Sequence, residues 1–158
     1  MTSLSPPFNL AAYCLAAAHT APGKEALSVI SDAASGAPHE TLTYAQLEDA
    51  VLRVAAALQD RGIAPGERVL LRLGNTSAFP ILFLACTAAG IIAVPSSSQL
   101  TAEEADFLLT DSGARLVALE PHLPRGHIPS RAGVILEDEV RALMAYPRRA
   151  GYAATRAE

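Results

Sequence analysis

The chain has 158 residues, 51% of them hydrophobic, and a formal net charge of −4. A chain of this length is typical of one domain with a sizeable core. All of its basic residues are arginines except Lys24, and they form neither a basic stripe nor an alternation with aromatic residues. This composition argues against nucleic-acid binding.

The first predicted elements are a helix and a hairpin. Residues 26–31 and 41–43 have the composition of two strands, joined by a turn at residues 35–38. Asn9 is a typical N-cap for a helix that extends to about Ala18. The residues expected on the buried face of that helix are Leu10, Tyr13, Cys14 and Ala17.

The clearest helix signal begins at Thr43. Thr43 and Gln46 match a capping box, in which each side chain bonds the other residue's main-chain N–H. Gly62 is a natural terminator for this helix. The apolar residues at helical spacing are Leu47, Val51, Val54, Ala55 and Leu58. The residues expected to face solvent are Glu48, Asp49, Arg53, Gln59 and Asp60.

Strands and helices alternate through the rest of the chain. Thr101 and Glu104 match a second capping box, and Gly113 ends the helix that they begin. The expected strands are residues 68–73, 91–94, 115–119 and 134–136, and the expected helices are residues 78–89, 101–111 and 137–144. This order predicts an α/β fold with a mostly parallel sheet and helices on both faces.

One stretch resembles a membrane span by composition. Residues 78–94 carry no charge, and their length is near the lower limit for a spanning helix. Pro80 lies near the start of the stretch, and Gly90 interrupts it before a β-branched run. A buried helix followed by a buried strand explains this pattern better. Residues 1–7 also lack a signal-peptide pattern, so we expect a cytoplasmic protein.

The domain organisation follows from the same patterns. Residues 1–146 are predicted to form a single α/β subdomain, which includes the hairpin near residues 26–43. Residues 147–158 have no core pattern and are predicted to form a C-terminal arm. The two cysteines, Cys14 and Cys86, lie in apolar helical patterns, which predicts buried, reduced thiols rather than a disulfide framework or a nucleophile.

Ligands of parallel sheets tend to bind at the carboxyl ends of the strands, where the chain has two polar loops. Residues 74–77 could present main-chain N–H groups to a ligand, although a tight turn with a helix N-cap is the favoured interpretation. Residues 96–98 are three serines without the flanking glycines of a nucleophile elbow, so a solvated loop is favoured.

No metal site or catalytic group is predicted from the residues alone. His122 and His127 share a Pro-rich loop with Arg125 but have no nearby cysteine or carboxylate pair, and all four histidines are expected at the surface. Residues 137–139 are acidic, which is typical of the first turn of a helix. Neither a P-loop nor a Gly-x-Gly-x-x-Gly motif occurs.

A series of short motifs does occur in an informative order between Thr41 and Asp111. They are Thr43-Tyr44-Ala45-Gln46-Leu47, Pro65-Gly66-Glu67-Arg68-Val69, Asn75, Ala89-Gly90 with Pro95, Thr101 with Glu104, and Asp111-Ser112-Gly113. In this order they resemble the opening of the adenylate-forming (AMP-binding) enzymes, most closely the acyl-CoA synthetase and aryl-acid:CoA ligase branch. Glu67 replaces the family's usual Asp, and Gly74 stands where proline is common.

The resemblance implies that residues 8–141 form the first subdomain of the adenylate-forming ligase fold. The parent enzyme would join a carboxylic acid to ATP and then transfer the acyl group to CoA, using ATP, Mg²⁺ and CoA. The family's Lys-ending phosphate loop and its other ATP-binding groups do not appear in this sequence. The resemblance therefore implies no catalytic residue and no bound cofactor for this chain alone. It suggests one cofactor contact, Gln99, which lies near CoA in relatives.

Three interpretations stay open. In the first, the chain is an N-terminal fragment with a scaffold role, inactive alone, whose arm at residues 147–158 leads toward a missing phosphate-loop subdomain. Its partner is then the remainder of its own polypeptide, a complementary chain or a second copy. In the second, it is a stand-alone binding or interaction module, or half of a split enzyme. In the third, it is an unrelated nucleotide-binding α/β protein.

Overall fold

The computed structural model of the protein describes residues 8–30, 34, 36–123, 128, 132–148 and 151–153. Six helices and six strands occur in those ranges. The helices are α1 (Leu10–Cys14), α2 (Ala17–Thr20), α3 (Tyr44–Asp60), α4 (Ala78–Ala88), α5 (Ala102–Ser112) and α6 (Glu137–Leu143). The strands are β1 (Glu25–Val29), β2 (Glu40–Thr43), β3 (Arg68–Arg72), β4 (Ile92–Pro95), β5 (Leu116–Leu119) and β6 (Gly133–Leu136).

The strands form two sheets. β1 and β2 pair antiparallel as the predicted hairpin, while the other four strands form a parallel sheet in the order β4-β3-β5-β6. Successive residues of β3 point to opposite faces, so Val69 and Leu71 join one core and Leu70 joins another. The inner strands β3 and β5 are largely buried, whereas the edge strands β4 and β6 are partly exposed. The predicted α/β architecture is confirmed.

The two faces of the parallel sheet are covered unequally. The larger core lies between the sheet and a layer that includes α3, α4 and α6, with α1 packed against α4. The smaller core lies under α5, and it includes Leu70, Leu109 and Val117. The prediction of helices on both faces is therefore correct, with a single described helix on the second face.

Local capping signals fixed the ends of α3 and α5 as predicted. The Gln46 N–H donates to Thr43 Oγ1 at 3.3 Å, and the Thr43 N–H donates to Gln46 Oε1 at 2.9 Å. Thr101 and Glu104 make the same pair of bonds at α5. Gly113 ends α5 with φ +61°, a conformation that favours glycine. These bonds join residues three apart, so they depend little on tertiary context.

The predicted N-terminal helix is wrong in its length and its buried face. The helix breaks after Cys14, and its buried residues are Ala11, Leu15 and Ala18. Leu10, Tyr13 and Cys14 are exposed instead. Asn9 accounts for this rotation: its Oδ1 accepts from the Ala12 N–H at 3.1 Å, while its Nδ2 donates to the Thr87 carbonyl at 3.0 Å. Because the segment is rich in alanine, either face was apolar enough to be buried.

The apolar run after residue 77 divides as predicted into a helix and a strand, but the strand was expected to be buried and is partly exposed, with Ile92 49% exposed at the edge of the sheet. α4 ends at Ala88, Gly90 adopts φ +73°, and β4 begins at Ile92. Within the described ranges, every helix is too short or too polar to span a bilayer.

Candidate functional site

The two polar loops at the carboxyl ends of β3 and β4 lie side by side. They enclose a cleft of about 290 Å³. The residues that line it are Leu73, Gly74, Asn75, Phe79, Ser96, Ser97 and Ser98. The loops meet because β3 and β4 are parallel neighbours, with Leu71 in register with Pro95.

Main-chain and hydroxyl bonds hold the loop after β4 in place. Ser96 donates to the Leu71 carbonyl through its N–H at 2.9 Å and through its hydroxyl at 3.1 Å. The Gln99 N–H donates to Ser97 Oγ at 3.1 Å. Gln99 itself is exposed and does not line the cleft. The loop therefore presents short polar groups to the cleft and the Gln99 amide to solvent beside it.

The loop after β3 does not form the side-chain N-cap that the sequence predicted. The N-cap residue of α4 is Ser77, which already has helical backbone angles, and its side chain makes no cap hydrogen bond. Ser77 Oγ is buried and has no hydrogen-bond partner in the described part of the chain. Asn75 is exposed at the mouth of the cleft. The prediction failed because a side-chain N-cap residue normally has an extended backbone, whereas Ser77 already has helical angles.

Arg72 is a charged residue at this site that sequence reasoning missed. It is the last residue of β3 and is 1% exposed. Its Nη2 donates to the main-chain carbonyl of Leu100, directly before the N-cap of α5. A buried guanidinium requires acceptors of this kind. A charged residue directly after the apolar run Val69 to Leu71 of a parallel strand was the sequence signal that could have revealed it.

Glu120 is a second residue that the sequence analysis did not single out. It follows β5, and its N–H donates to the Arg72 carbonyl at 3.1 Å. Its side chain lies over Gly74, where a methyl group would be 2.9 Å from Glu120 Oε2. The strand order reverses between β3 and β5, which is where open α/β sheets commonly bind ligands. Glu120 thus adds a carboxylate beside the polar cleft.

An apolar cavity of about 340 Å³ lies on the other side of Phe79, which lines both spaces. It is lined by residues of α1, β1, α3 and α4, together with Leu15. Cys14 lines this cavity and is exposed, which corrects the prediction that both thiols are buried. Cys86 is buried, and burial raises the pKa of its thiol to about 12.

The remaining candidates for chemistry lie apart from the cleft. Within the described residues, no group of three or more histidine, cysteine or acidic side chains could hold a metal ion. His122 is exposed, whereas His127 and Arg125 lie outside the described residues. Glu139 accepts from the Leu136 N–H at 2.8 Å at the start of α6, and Glu137 pairs with Arg141. These acidic side chains stabilise the N-terminus of α6, as the sequence indicated.

The fold and the cleft define an α/β subdomain with a strand-end site, and comparison with known proteins assigns its family. The family described as "AMP-binding enzyme" matches residues 15–154. The chain belongs to the AMP-binding enzyme family.

Curated relatives match about half of the chain. A 4-hydroxybenzoate–CoA/benzoate–CoA ligase from Rhodopseudomonas palustris is 41% identical over 80 residues, which are 51% of this chain and 15% of the relative. A fatty acid–[acyl-carrier-protein] ligase, ScoC, from Streptomyces coeruleorubidus is 46% identical over 82 residues, again 51% of this chain and 15% of the relative. The matched region thus spans about one seventh of these relatives.

Solved structures match nearly the whole chain. A benzoate CoA ligase from Burkholderia xenovorans superposes with a TM-score of 0.78 and 28% identity, over 94% of this chain and 31% of that one. The N-terminal domain of FACL13 from Mycobacterium tuberculosis superposes with a TM-score of 0.75 and 24% identity, over 95% and 39% of the two chains. The second likeness shows the fold alone. The resemblance read from the sequence is confirmed.

Proposed function

We propose that this chain forms the N-terminal part of an AMP-forming acid:CoA ligase. In that reaction a carboxylate oxygen attacks the α-phosphorus of ATP and pyrophosphate leaves; the CoA sulfur then attacks the acyl carbon and AMP leaves. The observation that carries the proposal is the superposition of 94% of the chain on a benzoate CoA ligase at 28% identity. We also propose a cytoplasmic location, where ATP and CoA are both available.

Within this enzyme the chain serves as a scaffold. A triphosphate and its Mg²⁺ require converging cations and N–H groups, with acidic metal ligands. The cleft lining contains neither a cation nor a carboxylate; Arg72 is buried and bonded to the Leu100 carbonyl, and Glu120 adds one carboxylate beside the cleft. ATP and Mg²⁺ therefore do not fit these residues, and we assign their binding to the remainder of the enzyme.

CoA fits this cleft in part. The serines at residues 96–98 and the exposed amide of Gln99 can exchange hydrogen bonds with the amides of a pantetheine chain. They carry no charge to pair with the phosphates of the CoA nucleotide. We therefore propose Gln99 as a contact for the pantetheine part of CoA and not for its phosphates.

The surface suggests where the rest of the polypeptide packs. Ile92 is 49% exposed and Val134 is 38% exposed, and each alternates with a neighbour that faces the larger core. Both therefore lie on the α5 side of the sheet, where the smaller core covers less of the sheet. We propose that the remainder of the polypeptide, or a complementary chain, covers this apolar side.

A chimera tests the proposal. The segment of the Burkholderia benzoate CoA ligase that superposes on this chain is replaced by the chain, and formation of benzoyl-CoA is measured. The expected result is benzoyl-CoA formation by the chimera and none by the same ligase without this segment. A chimera that is folded by circular dichroism but forms no benzoyl-CoA would overturn the proposal.

The isolated chain separates the alternatives. We expect no ATP–pyrophosphate exchange above background with benzoate or a fatty acid, and self-association that increases with concentration. Exchange above background would contradict the scaffold role. A monodisperse monomer in analytical ultracentrifugation would favour a stand-alone module, and nucleotide affinity of the chain alone would favour an unrelated nucleotide-binding protein.

A further inference from the structure

The chain after α6 runs back along α3. Near the C-terminus of α3, the Tyr146 hydroxyl donates to Asp60 Oδ2 at 2.8 Å, and Arg53 donates to the Tyr146 carbonyl at 2.7 Å. Near the N-terminus of α3, Arg148 Nη1 lies 3.3 Å from Asp49 Oδ1. These contacts join residues that are about one hundred positions apart in the sequence.

Glu48 of α3 contacts the same segment of the chain after α6. It was expected to face solvent, but it is 6% exposed. The Tyr152 hydroxyl donates to Glu48 Oε1 at 2.7 Å, Arg148 Nη2 lies 3.6 Å from Oε2, and His19 Nε2 lies 3.4 Å from Oε1. A buried carboxylate is tolerated only when partners of this kind compensate its lost hydration. Two of these three partners, Tyr152 and Arg148, belong to the chain segment after α6.

The same segment also closes on α4. The Ala153 N–H donates to the Ala88 carbonyl at 2.7 Å, and Asn9 Nδ2 donates to the Ala153 carbonyl at 3.0 Å. Asn9 also bonds the Thr87 carbonyl. The two ends of the described chain are therefore held together at the C-terminus of α4.

We propose that Glu48 anchors a latch, in which Arg148, Tyr152 and Ala153 fasten the chain after α6 across α3 and α4, and that this latch opens without unfolding of the parallel sheet. Met144, Tyr146 and Tyr152 of this segment pack against the larger core, but they are only partly buried, and the side chains of Arg148 and His19 are 43% and 72% exposed. The sheet is held by the fully buried side chains of the two apolar cores. Segments held by few buried apolar contacts open at lower free energy than the core does.

Glu48, rather than its neighbour Asp49, anchors the latch. Asp49 also binds Arg148, but its side chain is 38% exposed, so water competes for it. Glu48 is shielded and touches both Arg148 and Tyr152. Its loss should therefore release Tyr152 and Ala153 together.

Amide hydrogen exchange of the 158-residue chain tests the latch. The variants are Glu48→Ala and Tyr152→Phe, with Glu103→Ala on the exposed surface of α5 as the matched control. We expect the Ala153 amide to exchange about tenfold faster in both latch variants, and the amides of Val69 and Leu71 in β3 to change less than about twofold. The control should change neither set.

Two results would overturn the latch. In one, the Ala153 amide keeps its exchange rate when Glu48 or Tyr152 is altered. In the other, the β3 amides accelerate as much as Ala153 does, which would make Glu48 part of the global core. If Glu48→Ala fails to fold, Tyr152→Phe decides alone, because it removes one hydroxyl and keeps the ring.

Discussion

The buried guanidinium of Arg72 donates to the main-chain carbonyl of Leu100, so the end of β3 holds the loop that leads from β4 to α5. The two residues are 28 positions apart. Ser96 to Ser98, which line the polar cleft, lie between β4 and Leu100 in the sequence. The bond from Arg72 to Leu100 therefore holds one wall of the cleft in place.

Replacing Arg72 by methionine should loosen the loop between β4 and α5 without lowering the stability of the whole chain. In Arg72→Met the loop loses its anchor, and we expect the amides of residues 97–100 to exchange about tenfold faster. The urea midpoint should change little or rise, because an apolar side chain of similar length avoids burying a charge. Arg72→Lys should lower the midpoint, since lysine keeps the buried charge but cannot place a donor where the guanidinium meets the Leu100 carbonyl. A larger loss of stability in the Met variant than in the Lys variant would contradict this account.

The two thiols should differ sharply in reactivity. Cys14 is exposed, whereas burial raises the pKa of Cys86 to about 12, so its thiol stays protonated near neutral pH. Iodoacetamide at pH 8 should modify Cys14 in the folded chain and reach Cys86 only after unfolding in urea. Peptide mass spectrometry gives the site of modification. Equal labelling of both thiols in the native chain would contradict the burial of Cys86.

Tyr152 should contribute to instability at high pH. Burial, and then the hydrogen bond and negative charge of Glu48, raise the pKa of Tyr152 above its ordinary value of 10. The unfolded chain therefore loses this proton at a lower pH than the folded chain does, and stability should fall as pH rises above about 10. Urea midpoints between pH 8 and 11 test this. In Tyr152→Phe the midpoint should fall less steeply over that range.

The α3 capping box should be worth a measurable amount of stability. Thr43→Ala removes the hydroxyl that accepts from the Gln46 N–H, and we expect a loss of about 1 kcal/mol in the free energy of unfolding. Thr43→Ser keeps the hydroxyl and should lose much less. Urea unfolding of the two variants under identical conditions gives the difference. Equal losses would mean that the hydroxyl bond is not the source of the effect.

Some features of the site could be foreseen and others could not. The two polar loops were expected at strand ends because the alternating order predicts a parallel sheet, and they do line one cleft. Asn75 was expected in a capped turn, but the cap is absent, and Ser77 at that position has helical backbone angles. Arg72 and Glu120 were not singled out, since nothing within a few residues of either shows that the other strands bring them to the cleft.

The amino-acid sequence by itself determined the order of helices and strands, the ends of α3 and α5, and the family resemblance. The first two depend on apolar spacing and on bonds between residues three or four apart, which need no distant partner, and the resemblance depends on short motifs in a fixed order. Only the tertiary structure decided which face of α1 is buried, that Glu48 is buried, and which group Arg72 binds. Each of these depends on partners tens of positions away, and in an alanine-rich chain several faces are apolar enough for burial until those partners select one.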